Sequence, residues 1–454
     1  MKQKPPTAAS HDGVPAAKPK SIAIIGAGIA GLSAAWDLVQ AGHRVTIFEA
    51  GSEVGGLAAG FKDETWDWSL EKFYHHWFET DSDLLQLARE LGISDRLLWP
   101  RPKTSYWLNG RVYRSEMNLS ALSLPLSWLG TLRLGLSGVF LKLTPWWKRL
   151  ERVTAQQWLR RWMGDEVYNA LWRPLLIGKF GDRFDKVNMA WMWARIKARS
   201  VKLGTYEGGF QAFVNALADA ARERGVEICL STPVEFISET ADGLELGFKQ
   251  ESRMFDVVLA TTSPRQLLKH AQGIAGTTYG KEVAALDSIG AVCVVLALNQ
   301  SLLTDGTYWL NLPAVSSDKT KNQFPFLALV EHTNWMDKTH YGNDVIVYCG
   351  DYADPSHEYF SLSDDALIER FTSALPAVNP AFDPSWVRRA WVWRAPYAQP
   401  IPGLNHSQKI PDLKTPLRGL YWASMSQVYP WDRGTNYAIE IGRRVAHRIL
   451  DEAG

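Results

Sequence analysis

Only three cysteines occur in the 454 residues, Cys229, Cys293 and Cys349. They are isolated, with no C-x-x-C and no histidine at ligand spacing, so they read as buried thiols in a reducing compartment and argue against a structural metal. An excess of either charge is missing as well. Lys plus Arg total 49 and Asp plus Glu total 48, a net charge of +1, so no global field draws in nucleic acid. No uncharged apolar run reaches the ~20 residues needed to span a bilayer. The nearest approach, 119–150, is interrupted by Pro125, Arg133, Lys142 and Pro145. Residues 1–20, rich in Pro, Ala, Ser and Lys, lack the apolar segment of a secretory signal and are expected to be a disordered tail.

What is present starts at Ser21. Ser21-Ile22-Ala23-Ile24-Ile25 is an apolar run of the kind that forms a buried parallel strand. Gly26, Gly28 and Gly31 then fill the spacing G-x-G-x-x-G, with Ile29 and Ala30 inside it. The first glycine allows a tight turn, the second lets a pyrophosphate reach the backbone, and the third lets helix pack on strand. A helix follows to Val39 and stops at Gly42; a second strand, 44–48, delivers Glu49 and Ala50. An acid about 20 residues past the glycines is where such units hold a ribose hydroxyl. The pattern predicts a dinucleotide site.

Gly55-Gly56 lie six residues beyond Glu49 and resemble the glycine doublet of the flavoprotein superfamily that contains amine oxidases, protoporphyrinogen oxidases, phytoene desaturases and UDP-galactopyranose mutases. The resemblance implies FAD, with Leu57 beside the doublet where an arginine is usual. It covers almost the whole chain. Thr232-Pro233-Val234 resembles the family's stretch whose valine backbone reaches the adenine, and Asp432 to Tyr437 resembles the closing motif, where a helix N-terminus faces the flavin. That implies flavin contacts at Ser424, Met425, Gly434, Thr435 and Asn436. The segment after the doublet implies Lys72, His75 and His76 near the ring, and 390–400 implies substrate contacts at Arg394 and Tyr397. Lys179, between Gly178 and Phe180, is awkward for a solvated lysine and is a further active-site candidate.

The expected fold class is α/β, a three-layer, Rossmann-like FAD-binding domain built from 21–78, 204–275 and 417–454. An inserted α+β substrate domain, 79–203 and 276–416, would contain a mixed sheet and a helical region. Asp83 is expected to cap a helix over 84–91, Asn109-Gly110 to turn a hairpin, and Thr154 to Gln157 to start a helix by a capping box. The basic run 195–202 reads as a solvated helical face. In 119–150, apolar residues bordered by Trp and basic residues suit either a membrane-interface helix or an internally packed hairpin.

With one nucleotide fingerprint and 21 tryptophans, the chain is expected to move hydride from a bulky apolar substrate, such as a tetrapyrrole or isoprenoid, to flavin N5. Oxygen or a quinone would reoxidise it. An amine oxidase and a redox-neutral UDP-sugar mutase are the alternatives; the mutase needs an arginine pair, for which Arg173, Arg183 and Arg195 are available. The expected location is the cytoplasm, peripheral on the inner membrane face if 119–150 meets lipid.

Overall fold

The computed structural model describes residues 18–114 and 124–453. Of the expected tail 1–20, residues 1–17 lie outside them, as do residues 119–123 of the apolar stretch 119–150.

The strand Ser21–Ile25 is central to a five-stranded sheet in which every pairing is parallel. Its neighbours are Arg44–Phe48 and Val257–Ala260, with Glu227–Cys229 and Leu420–Trp422 at the edges. Both faces are covered, which is why these strands are near-continuous apolar runs. Helices Ile29–Gln40, Phe210–Glu223 and Thr435–Ala453 pack on one face, burying Leu32, Phe213, Leu217 and Ile439. The other face meets a three-stranded antiparallel sheet, 236–255, through Val258, Leu244, Leu246 and Trp422. Helix, parallel sheet and antiparallel sheet make the three layers. Strands Ser252–Phe255 and Val257–Ala260 are separated by Asp256, whose carboxylate and N–H bond Ser21.

The second sheet has seven strands. Val387–Pro400, Ser288–Leu298, Val345–Ala353, Ala328–Glu331, Trp309–Asn311, Thr104–Leu108 and Arg111–Arg114 follow in that order, mixed because 309–311 runs parallel to 104–108. Asn109 and Gly110, both at positive φ (50° and 75°), turn the expected hairpin. The helical region comprises Trp128–Leu143, Ala155–Val167, Arg173–Phe180 and Met189–Ala198. Thr154 caps the second of these with the expected box, and Gly164, at φ 89°, kinks it. Cys293 and Cys349 are buried in the seven-stranded sheet, whereas Cys229 is only half-buried at a sheet edge. Among the described residues no helix is long and apolar enough to cross a membrane.

The helix expected at 84–91 is Ser82–Glu90, and Asp83 does not cap it. Asn436 does so from across the molecule: its Oδ1 accepts from the N–H groups of Asp83 (2.9 Å) and Leu84 (3.0 Å). Leu84 and Leu87 consequently sit in the core of the parallel sheet, although they follow the point where the insert was expected to begin.

Candidate active site

Three glycines of the first turn have three different reasons to be glycine. Gly26 adopts φ 106°, a region open to little else. A Cβ on Gly31 would lie 2.1 Å from the Gly26 carbonyl oxygen, so helix and turn touch only because it is absent. Gly28 needs neither: its φ is −73°, and a Cβ there would meet nothing nearer than 3.9 Å. The open space in front of it is what a phosphate would use, beside the N–H groups that start helix Ile29–Gln40. Ile29 is buried beneath this turn and Ala30 lies at its flank.

The doublet folds onto the same turn. Gly28 and Gly55 form an isolated parallel bridge, and the Gly55 N–H donates to the Ala27 carbonyl at 2.9 Å. Gly55 and Gly56 adopt φ 130° and 58°, and a Cβ on Gly56 would approach the Gly28 Cα at 3.3 Å. Leu57, next in the chain, is 38% exposed. Glu49 ends its strand with its carboxylate fixed by two backbone donors, Ala27 and Gly51, each at 2.8 Å. The Glu49 carbonyl accepts from the Thr232 N–H (2.8 Å), which brings Val234 into the same corner; Ala50 is exposed beside it.

The chain's last segment completes the site. Gly434 precedes helix Thr435–Ala453, and a Cβ there would find only Tyr437, at 3.9 Å. Thr435 and Asn436 are buried, and the Asn436 side chain is committed to its cap of Ser82–Glu90, leaving backbone to face a ligand. Ser424 Oγ and Ser426 Oγ each lie 2.7 Å from the Tyr397 hydroxyl, and the Ser424 N–H donates to Gln427 Oε1. Met425 lies between the serines, half-buried. The open space at Gly28 and Gly434, with a carboxylate held at the strand end, fits a flavin dinucleotide.

Next to Gly434 stands a group of charges that sequence reasoning largely missed. Asp432 accepts from Trp191 Nε1 (3.0 Å), Gln399 Nε2 (2.9 Å) and Arg195 (2.7 Å). Burial alone would raise its pKa, but Lys179, Arg195 and Arg433 outweigh that and hold it well below the carboxylate range. Arg433 donates to Gln399 Oε1 and the Tyr352 hydroxyl. Lys179 is buried, with its Nζ 4.6 Å from the Tyr352 ring centre and 5.5 Å from that of Trp191. Burial, then Arg195, drives its pKa well down.

Arg199, expected on a solvated face, is enclosed by protein, and burial lowers its pKa too. Tyr74, His75, His76, Tyr397, Arg199 and Arg433 are all surrounded by protein yet keep accessible surface, so they line an interior hollow. His75 Nδ1 is bonded to the Phe73 carbonyl, and burial followed by Arg433 pulls its pKa to about 4. His76, whose Nδ1 has no partner, is pulled by burial and by Arg199 to about 3. Both rings are neutral at pH 7. Lys72 lies against Trp393, its Nζ 4.9 Å from the ring centre.

Arg394 is not part of this group. Its guanidinium donates to the carbonyls of Tyr359 and Leu362 and to the Asp364 carboxylate, all on the outer side of the seven-stranded sheet. The three arginines offered for a diphosphate are not brought together either. Arg183 bridges Asp287 and Asp354, Arg173 stacks near Phe184, and Arg195 alone reaches the hollow. The signal available for the missed cluster was the pair Asp432-Arg433 immediately before Gly434.

The family profile described as flavin containing amine oxidoreductase matches residues 29–450. The chain belongs to that family. It is a flavin-linked oxidoreductase, similar over its length to a protoporphyrinogen oxidase-like protein from Exiguobacterium sp. 255-15 (TM-score 0.74, 18% identity, 96% of this chain and 100% of that one). Coproporphyrinogen III oxidase of Staphylococcus aureus is 24% identical across 62% of this chain and 68% of its own length. The 15-cis-phytoene desaturase of Arabidopsis thaliana is 46% identical over 83 residues, which are 18% of this chain and only 14% of the desaturase.

Proposed function

We propose that this family member binds FAD and oxidises a bulky, partly apolar substrate that carries an anionic group, with a tetrapyrrole carboxylate such as coproporphyrinogen III as the leading candidate. The observation that carries this reading is the charge balance of the hollow. Lys179, Arg195 and Arg433 surround a single carboxylate, Asp432, and Arg199 adds a further basic group near Arg195. Uncompensated buried charge is costly, and an anionic substrate group offsets it. The same excess repels a protonated amine, which disfavours an amine oxidase. It also disfavours an isoprenoid hydrocarbon, which would leave the cations unpaired.

Bound FAD would supply a two-electron acceptor for hydride, with Gly26 to Gly31, Glu49 to Leu57, Val234 and Ser424 to Asn436 holding it. The chain's own contribution is placement. Lys179 and the arginines fix the anionic end, Trp393 and Tyr352 give apolar surface to the body, and enclosure keeps out water. Lys72, His75, His76 and Tyr397 line or border the space, where the neutral imidazoles add polar contacts without adding charge. Oxygen or a quinone would then take the electrons.

Anaerobic mixing of the reconstituted holoprotein with coproporphyrinogen III tests the proposal. Bleaching of the flavin's visible absorbance, reversed by air or a quinone, is the expected result. Turnover of a UDP-sugar only after chemical prereduction would replace this reading with the mutase one.

A further inference from the structure

A surface helix ordinarily turns its charges to water and its apolar stripe to the core. Trp128–Leu143 does the reverse. Every exposed residue of this helix is apolar or glycine, and Trp128, Leu136, Val139 and Leu143 are 58–78% exposed. Its two cations are folded back onto backbone. Arg133 donates to the carbonyls of Arg161 (2.7 Å) and Trp162 (2.9 Å), and Lys142 to those of Lys197 (3.0 Å) and Arg199 (2.7 Å). Trp146 and Trp162, each more than half exposed, extend the apolar surface beyond the helix.

A fringe of positive charge borders it. Lys148, Arg149, Arg152 and Arg161 are exposed, and none pairs with a carboxylate among the described residues. Arg149 and Arg161 lie against Trp146 and Trp162, at 5.4 and 5.8 Å from the ring centres. Between 128 and 162 the one acid is Glu151, which is buried and accepts from Ser407 and Tyr429.

We propose that this face docks the protein on an anionic lipid bilayer, the helix lying flat in the interface. Sixteen residues make about 24 Å of helix, too short to cross the hydrocarbon but suited to lying along it. Tryptophan at both ends and cations at headgroup depth match the two layers of a membrane surface. Charge complementarity selects lipid over a second copy of this chain, because an isologous contact would bring the same unpaired cations together. The inference stands on this surface and is independent of which substrate the hollow takes.

The test is sedimentation of the flavin-loaded protein with vesicles of phosphatidylcholine, with and without phosphatidylglycerol. Binding to the anionic vesicles is expected, with K148Q/R149Q/R152Q losing on the order of a hundredfold, since each cation near the surface is worth roughly fivefold. L136E/L143E should abolish binding while the flavin spectrum and melting temperature stay unchanged. No sedimentation with anionic vesicles overturns the proposal, as does equal binding to neutral ones. A doubled mass in light scattering that L136E/L143E halves, without vesicle binding, would assign the face to a second copy instead.

Discussion

Lys179 Nζ lies 4.6 Å from the centre of the Tyr352 ring, and among the described residues no carboxylate comes within ion-pair distance of it. With its pKa driven well down by burial, this amine is poised to take up a proton as an anion arrives beside it. Lys179→Met should therefore weaken substrate capture by about tenfold or more while leaving flavin content intact. KM, read with the flavin spectrum of the purified variant, checks this; a variant with normal KM would remove Lys179 from the site.

Gly28 and Gly31 separate ligand binding from folding. Gly28→Ala adds a methyl to open space at an ordinary φ, so stability without flavin should change by less than about 0.5 kcal/mol, while FAD affinity falls by at least about tenfold. Gly31→Ala drives a methyl into the Gly26 carbonyl and should destabilise the chain by about 1–3 kcal/mol with or without flavin. Flavin titration and urea denaturation of the two apoproteins distinguish them.

Asn436→Ala should cost about 1–2 kcal/mol, because it strips two N–H groups of helix Ser82–Glu90 of their acceptor. Asn436→Asp restores an acceptor but sets a second carboxylate against Asp83, to which the Asn436 amide donates (3.4 Å), and should not recover the loss at pH 7. Urea denaturation of the three proteins reads this directly.

Acid should destabilise the protein through His75 and His76. Their folded pKa values, about 4 and about 3, lie below the unfolded 6.5, so the unfolded chain binds more protons between those limits. Stability is fully present above pH 6.5 and falls as pH drops toward 3. A melting-temperature profile of His76→Phe should be flatter across that window.

Glu71 acts at the other end of the scale. Burial raises its pKa to about 7, outweighing the Phe210 N–H that its carboxylate accepts at 2.9 Å. The neutral form is favoured on folding, so its contribution is complete below about pH 4.5 and is lost as pH rises through 7. Glu71→Gln should stabilise the protein at pH 8 by about 1–3 kcal/mol and hardly at all at pH 4, as thermal unfolding at the two values would show.

The nucleotide half was legible because local chemistry determines it. Gly26, Gly28, Gly31 and Glu49 are forced by a turn, a close approach and a strand end that lie within thirty residues of one another. The Asn109-Gly110 hairpin and the Thr154 box are local for the same reason. The cap of Ser82–Glu90 was not legible, since its acceptor lies more than 350 residues away at Asn436. Arg394 was misread because its carbonyl partners at Tyr359 and Leu362 are set by packing of one sheet face. Arg195 looked like solvated charge because no pattern along the chain shows that Met189–Ala198 turns it toward Asp432. Lys179 stood out only through its apolar neighbours in sequence.

The central strand Ser21–Ile25 is flanked by Val257–Ala260, more than 230 residues further on, and the last strand of that sheet begins at Leu420. During synthesis the glycine turn precedes Gly434 to Asn436 by about 400 residues and waits for them to arrive. Until then nascent chains expose the apolar faces of Ile22, Ile24 and Ile47, so cofactor capture follows assembly of the parallel sheet and cannot be its template.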